Sequence, residues 1–267
     1  MLIKFIKTLN KIGNNIEKYK LYDTEISSDK LVNVFNNYLF IKYNRSCIFD
    51  REEQNIKMFR FDLGFVTQEY NYKKIKFIFN SYNYINKFIN LLITSITKMS
   101  INDHILLIPI VLLIIDKDNI RKAHTIMLIY RKYKNCFEYY DPNGAGDNTY
   151  IYNTTSSLIQ NIINEMNINI NEIKNKYIFK NNNSSYYTGF QRIENEDGRK
   201  GFCTIWSMFF GELVLLNPYM KTADLMRILY IWLNKNNNMN LLFLRNIIIA
   251  YLYNILESSQ NPPCQNF

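Results

Sequence analysis

The sequence predicts a chain of helices and strands built around one antiparallel meander and one buried helix. Three observations carry this. Continuous apolar runs broken by turn residues follow one another between His104 and Tyr140, the pattern of buried strands. Apolar residues recur at helical spacing before and after that region. The run from Thr204 to Leu216, TIWSMFFGELVLL, is apolar almost all round, which marks a helix buried on every side. Gly (8) and Pro (5) are scarce, which argues against a turn-dense β-sandwich.

Taken in order, Leu2 to Tyr19 reads as an amphipathic, basic helix packed on the body. It lacks the continuous apolar core and small-residue cleavage site of a secretory signal. Asp29 to Tyr43 is a second helix, with Ser28 as N-cap and Leu31, Val34, Phe35, Tyr38 and Leu39 on one stripe. Asp50, Arg51, Glu52 and Glu53 read as a solvated helix start. Lys74 to Asn80 is a short strand, and Asn83 to Lys98 a third helix with Ile85, Phe88, Ile89, Leu92 and Ile96 aligned.

The pattern changes at His104. His104 to Ile115 is a strand containing Pro109, and Asp116 to Asn119 make a turn. Ala123 to Tyr130 is the second strand, and Arg131 to Asn135 turn the chain into a third, Cys136 to Tyr140. Asp141-Pro142-Asn143-Gly144 ends it with strong turn chemistry. Thr155 to Met166 is an amphipathic helix, and Lys174 to Lys180 a further strand. After the buried helix and Pro218, Thr222 caps a helix to Leu233 with Asp224 in its first turn, and Leu241 to Leu256 is strongly apolar. No linker or repeat interrupts the chain. One domain is the simplest reading, with residues 1–100 as a mainly helical N-terminal extension or subdomain.

The 267 residues allow one large domain or two small ones, and 48% hydrophobic composition is ample for a packed core. Asn, Ile, Lys and Tyr are over-used, as in coding from an AT-rich genome, so the Asn clusters at 181–183 and 236–238 read as loops. The net charge of +9 permits nucleic acid, anionic membrane or an acidic protein as partner. The basic residues are scattered with no run of five, which reads as a solvated surface. Cys47, Cys136, Cys203 and Cys264 show no CxxC spacing, which points to a reducing intracellular setting and no zinc site. The apolar runs Ile105 to Ile115 and Ile247 to Leu252 are too short for the roughly 20 residues of a membrane span.

Chemistry concentrates at Cys203, in the first turn of the buried helix. There the unpaired N–H groups and the helix dipole favour an anion, which lowers a thiol's pKa and makes it a nucleophile. Packing as a small apolar group is the commoner fate of a lone cysteine. A nucleophilic thiol needs a base and a group to orient that base. Only two histidines are present. His124 starts one strand and Asp141 ends the next, so an antiparallel hairpin brings both to one sheet edge. His104 starts the preceding strand, points to the opposite edge and reads as structural. An oxyanion would need donors. The Cys203 N–H is one candidate and the Gln191 amide another, although on spacing alone Gln191 reads as a solvated loop residue.

The order His124, Asp141, Gln191, Cys203 resembles the Ulp1/adenain-like cysteine peptidases of the SUMO-protease clan. It is most similar to the branch found in large DNA viruses, whose buried helix carries G-[YF]-C-x-x-W-S. Here that motif is Gly201-Phe202-Cys203-Thr204-Ile205-Trp206-Ser207. The apolar strand opening with His124, the strand ending in Asp141-Pro142-Asn143-Gly144, the pair Glu212-Leu213 and the pair Asn217-Pro218 also match. The resemblance covers roughly residues 104–220. The chain departs from it in four places: Thr125 stands where many cellular members have Trp, Phe202 stands in place of Asp, Thr204 in place of Gly, and Gln191 precedes Cys203 by 12 positions (203 − 191).

The resemblance implies an α+β fold of papain-like type, with a mixed central β-sheet packed on the helix that bears Cys203, and places the peptidase domain at residues 101–267. It implies hydrolysis of a peptide or isopeptide bond with Cys203, His124 and Asp141 as triad and Gln191 as oxyanion donor. No cofactor or metal is implied. The implied partner is a protein substrate, either a ubiquitin-like modifier conjugate or a viral precursor, in host cytoplasm or virion. Two other readings stay open: an acyltransferase of the same clan, and a non-catalytic binding or virion protein that keeps the fold.

Overall fold

A computed structural model describes residues 7, 31, 34, 35, 37–39, 42, 59–69, 72–77, 82–99, 101, 104–115, 121–144, 149–168, 170, 171, 175–180, 202–237 and 241–260. Strands β1 (Phe59–Glu69) and β2 (Tyr72–Phe77) come first, then helix α1 (Tyr82–Thr97). The meander follows as β3 (Ile105–Ile115), β4 (Arg121–Arg131) and β5 (Cys136–Tyr140). Helix α2 (Thr149–Asn167), β6 (Ile178–Lys180), α3 (Cys203–Leu216), α4 (Thr222–Asn237) and α5 (Leu241–Gln260) complete the series.

The six strands form one mixed sheet in the order β2-β1-β3-β4-β5-β6. The pairs β1–β2, β3–β4 and β4–β5 are antiparallel, and β1–β3 and β5–β6 are parallel. β3 and β4 pair in register from Ile105 opposite Arg131 to Ile115 opposite Arg121. Among the described residues, β1 pairs with β3 only from Ile110 onward, so Pro109 has no described strand partner on that side, compatible with its missing N–H.

Two buried cores flank the sheet. Leu107, Met127 and Ile129 pack with α3, α4, α5 and the helical residues Leu31, Phe35, Tyr38 and Leu39. Leu106, Ile108, Ile110, Ile126 and Leu128 pack with α1 and α2 on the opposite face. Burial on both faces is why β3 reads as an unbroken apolar run instead of an alternating one. Gly211 lets α3 lie close on the sheet. A Cβ there would meet Leu107 Cδ1 and Met127 Cε, each at 3.1 Å, tighter than an ordinary van der Waals contact.

The meander and the helices lie where the sequence places them, with α2 beginning earlier and α4 and α5 running further. β1 is new. Its sequence FRFDLGFVTQE alternates Phe59, Phe61, Leu63 and Phe65 with Arg60, Asp62 and Gly64, a period-two signal within the region read as mostly helical. β2 starts at Tyr72 instead of Lys74 and ends at Phe77. β6 is shorter than Lys174 to Lys180 because residues before Ile178 bond elsewhere. The Asn135 amide donates to Asn175 O at 2.6 Å and Lys176 O at 2.9 Å, and Asn167 Oδ1 accepts the Tyr177 N–H at 2.8 Å. The helix expected at Leu2 to Tyr19, apart from Lys7, the cluster at 50–53 and the turn at 116–119 lie outside the described residues.

A buried ion pair closes the β4–β5 hairpin. Arg131 Nε donates to Glu138 Oε2 at 3.0 Å. The same guanidinium reaches Pro218 O at 2.6 Å and Thr222 Oγ1 at 3.3 Å. Thr222 donates its N–H to Glu138 Oε2 at 3.2 Å, and its hydroxyl bonds the same oxygen. The hairpin thus holds the N-terminus of α4 and the turn that leaves α3. Burial raises the Glu138 carboxyl, but the Arg131 charge and the Thr222 bonds outweigh it and leave the group below its ordinary value.

Candidate active site

The β4–β5 ladder runs from Arg131 opposite Cys136 to Met127 opposite Tyr140, and stops there. Among the described residues, β4 continues to Arg121 with only β3 beside it. His124 and Thr125 therefore sit where β4 has an open edge. The turn after β5 crosses this notch. Gly144 N–H donates to Asp141 O at 3.0 Å, with Gly144 at φ 70, in the left-handed region glycine favours. Asn143 N–H donates to Asp141 Oδ1 at 2.8 Å, the side-chain-closed turn that Asp forms readily. The turn thereby fixes the carboxylate before it meets the imidazole.

His124 Nε2 donates to the same Oδ1 at 2.8 Å, with both residues buried. With Nε2 committed to Asp141, Nδ1 is the nitrogen left for the thiol, and the Asn143 Nδ2 lies 3.4 Å from it. Burial disfavours the imidazolium, yet the Asp141 charge and hydrogen bond, with the Cys203 thiolate opposite, raise His124 to about 10. His104 lies at the other end of the meander, where its Nε2 meets Tyr219 Oη at 3.2 Å, on the edge the sequence assigns it.

Cys203 opens α3, with Phe202 as an N-cap that makes no side-chain hydrogen bond. The first-turn N–H groups are thus not taken up by a cap, and their partial positive charge lies beside the sulfur. Cys203 is half-buried, whereas Thr204 to Leu215 are buried. Burial works to raise the thiol. A hydrogen bond with His124, the His124 charge, and donation from the Thr125 N–H and hydroxyl hold it below its ordinary value. The pair therefore favours thiolate and imidazolium over thiol and imidazole. The Cys136 thiol, fully enclosed beside Arg131, is pushed up by burial and is inert by comparison.

Of the expected site residues, the fold brings His124, Asp141 and Cys203 together. Gln191 lies outside the described residues. Sequence reasoning named Thr125, Thr204 and Ser207 but gave them no role; their hydroxyls join strand to helix. Thr125 Oγ1 and Thr204 Oγ1 are 2.8 Å apart, and Ser207 donates to Thr125 O at 3.0 Å. The available signal was strand parity: Thr125 shares the face of Met127 and Ile129, on which α3 packs. Glu212, also on α3, belongs to a different cluster. It is fully buried and accepts from Tyr38 Oη at 2.9 Å, Tyr251 Oη at 2.8 Å and Lys42 Nζ at 2.7 Å. Among the described residues, no group of three or more His, Cys, Asp or Glu could hold a metal ion. No helix among them is long and apolar enough to cross a membrane.

No protein-family model and no curated protein matches the chain. Among solved structures it is similar to the Legionella pneumophila effector protein RavZ, with 9% identity and a TM-score of 0.38 over 89% of this chain and 70% of that one. A likeness that loose carries no argument about activity, which has to come from the site.

Proposed function

We propose that the chain is a cysteine peptidase that cleaves a peptide or isopeptide bond in a protein substrate. The observation that supports this best is the buried 2.8 Å bond from His124 Nε2 to Asp141 Oδ1, with the other imidazole nitrogen left for Cys203 at a helix start. An oriented base beside a half-buried thiolate is the arrangement nucleophilic catalysis needs.

In this reading the Cys203 sulfur attacks the scissile carbonyl carbon, and the C=O π pair moves to oxygen. The Cys203 N–H, at the start of α3, donates to that oxyanion, with the Gln191 amide proposed as second donor. As the tetrahedral intermediate collapses, the C–N bond breaks and His124 gives its proton to the leaving amine. A thioester remains on Cys203. His124, now neutral, takes a proton from water, whose oxygen attacks the thioester, and the thiolate leaves to pair again with the imidazolium. Asp141 keeps the ring oriented through both halves. The substrate class that fits the resemblance is a ubiquitin-like modifier conjugate or a viral precursor.

The test is Cys203→Ala against the intact chain, using a panel of ubiquitin-like vinyl-sulfone probes and peptide substrates. Labelling and cleavage are expected to vanish in the variant. Labelling at the full rate without Cys203 would refute the assignment. Adduct formation with one modifier probe would select modifier processing, and cleavage of precursor peptides with no probe adduct would select the other class.

A further inference from the structure

We propose that the Asn143 side-chain amide steers the hydrolytic water: it holds the neutral His124 ring while the thioester stands, and its Oδ1 accepts a hydrogen from the attacking water. The proposal rests on the peptidase reading and starts from the turn after β5. One residue there meets both ends of the imidazole–carboxylate pair. The Asn143 backbone N–H donates at 2.8 Å to Asp141 Oδ1, the oxygen that also takes His124 Nε2 at 2.8 Å. The Asn143 side chain turns to the far side of the ring, where its Nδ2 lies 3.4 Å from His124 Nδ1. Nε2 is committed to Asp141, so any proton the ring gives or takes passes through Nδ1. The amide therefore stands at the atom where proton transfer happens.

The donors and acceptors fix the half of the reaction in which it acts. In the imidazolium both ring nitrogens carry hydrogen, and Nδ2 would face Nδ1 donor to donor. In the neutral ring with its hydrogen on Nε2, Nδ1 offers a lone pair that Nδ2–H can meet. That is the ring left once the leaving amine has taken its proton. At 3.4 Å the contact is longer than the about 2.7–3.2 Å of a full bond, so Nδ1 stays open to a second donor. Asn143 is half-buried, and among the described residues its side chain makes no other hydrogen bond. Its Oδ1 is thus an acceptor beside the base and within reach of solvent. A water docked there gives one hydrogen to Nδ1 and the other to Oδ1, which aims its oxygen. The oxygen attacks the thioester carbonyl carbon as its O–H bond toward Nδ1 breaks. The C–S bond then breaks, the thiolate leaves, and the second hydrogen departs with the product acid, which ionises to solvent.

The test is stopped-flow hydrolysis of p-nitrophenyl acetate by the full chain, as wild type, Asn143→Ala, Asn143→Asp and Cys203→Ala, with intact-mass spectra taken alongside. The burst of p-nitrophenolate reports thioester formation, and the steady rate that follows reports its hydrolysis. Alanine keeps the backbone N–H that holds Asp141, so the burst rate in Asn143→Ala is expected to match wild type. Its steady rate should fall about 3–10-fold, the size of one hydrogen bond to a neutral group, and acetylated Cys203 should accumulate. Asn143→Asp keeps an acceptor oxygen at the same place and should restore most of the steady rate. Burst and steady rates lowered by one common factor would mark a merely structural turn residue and overturn the proposal. Should Asn143→Ala not fold, Asn143→Leu is read in the same way. A burst that persists in Cys203→Ala refutes the peptidase reading, whereas a Cys203-dependent burst with a steady rate unmoved by Asn143→Ala refutes the steering role alone.

Discussion

Replacing Asp141 by Asn tests the charge at the centre of the site. Asn has the shape of Asp, and its Oδ1 can still accept the Asn143 N–H that closes the turn at 2.8 Å. What it loses is the carboxylate that His124 Nε2 meets at 2.8 Å. A hydrogen bond to a buried charged group contributes about 1.5–3 kcal/mol, so the imidazolium–thiolate pair should become roughly 10–100-fold less populated against its neutral form. The sign follows from the directions of the two groups. His124 is raised to about 10, so its cation persists through neutral pH and is lost as pH rises through that value. Cys203 is lowered, so its thiolate persists until pH falls through a value under the ordinary thiol range. The reactive pair therefore fills the window between them, and Asp141→Asn should narrow it from the alkaline side. The chain has only two histidines, so the His124 ring-proton NMR signal is readily assigned. In wild type it should titrate far to the alkaline side of ordinary histidine and should move to lower pH in Asp141→Asn. A His124 signal that titrates ordinarily in wild type, or an alkaline signal unmoved by the substitution, would refute the account of the site.

Two further substitutions probe the scaffold. Glu212→Ala leaves the Tyr38 and Tyr251 hydroxyls and Lys42 without the carboxylate they share; urea denaturation should show a loss of about 3–5 kcal/mol, with kcat per folded molecule unchanged because the carboxylate lies well along α3 from the thiol. Arg131→Met strands the Glu138 carboxylate in the core and should cost about 3–5 kcal/mol, much of it recovered in Arg131→Met/Glu138→Leu. In wild type the depressed Glu138 contributes stability at neutral pH that is lost as pH falls through its folded value; in Arg131→Met burial is no longer outweighed by the Arg131 charge, so the sign inverts and part of the lost stability should return as pH falls, read as the urea midpoint against pH.

The meander was legible because its strands are buried on both faces. Runs such as Ile105 to Ile115 and Ala123 to Tyr130 have no reading as solvated surface, and the turn residues between them are unambiguous. The pairing of His124 with Asp141 followed from hairpin geometry alone. β1 was missed although its alternation is clear, because neighbouring helical stripes coloured the reading of the whole region. The short β6 was not legible, since side chains of Asn135 and Asn167, distant in sequence, decide where it starts. Thr125 illustrates a third kind of miss. Its residue type carries no signal, and its place beside the thiol depends on β5 ending at Tyr140, a property of the sheet and not of any local stretch.

The carboxylate of Glu212 carries a consequence for the order in which the chain packs. Tyr38 lies 174 positions before it and Tyr251 lies 39 positions after it. A nascent chain that has reached only Cys203 has its nucleophile but not the carboxylate further along its helix, and once Glu212 emerges that carboxylate still lacks one of its hydroxyl donors. Closing so long a loop has an entropic cost that only the assembled core offsets. The carboxylate on the helix that bears the thiol therefore gains its full set of hydroxyl donors only once α5 has been synthesised, which ties the packing of that helix to segments far before and after it in the chain.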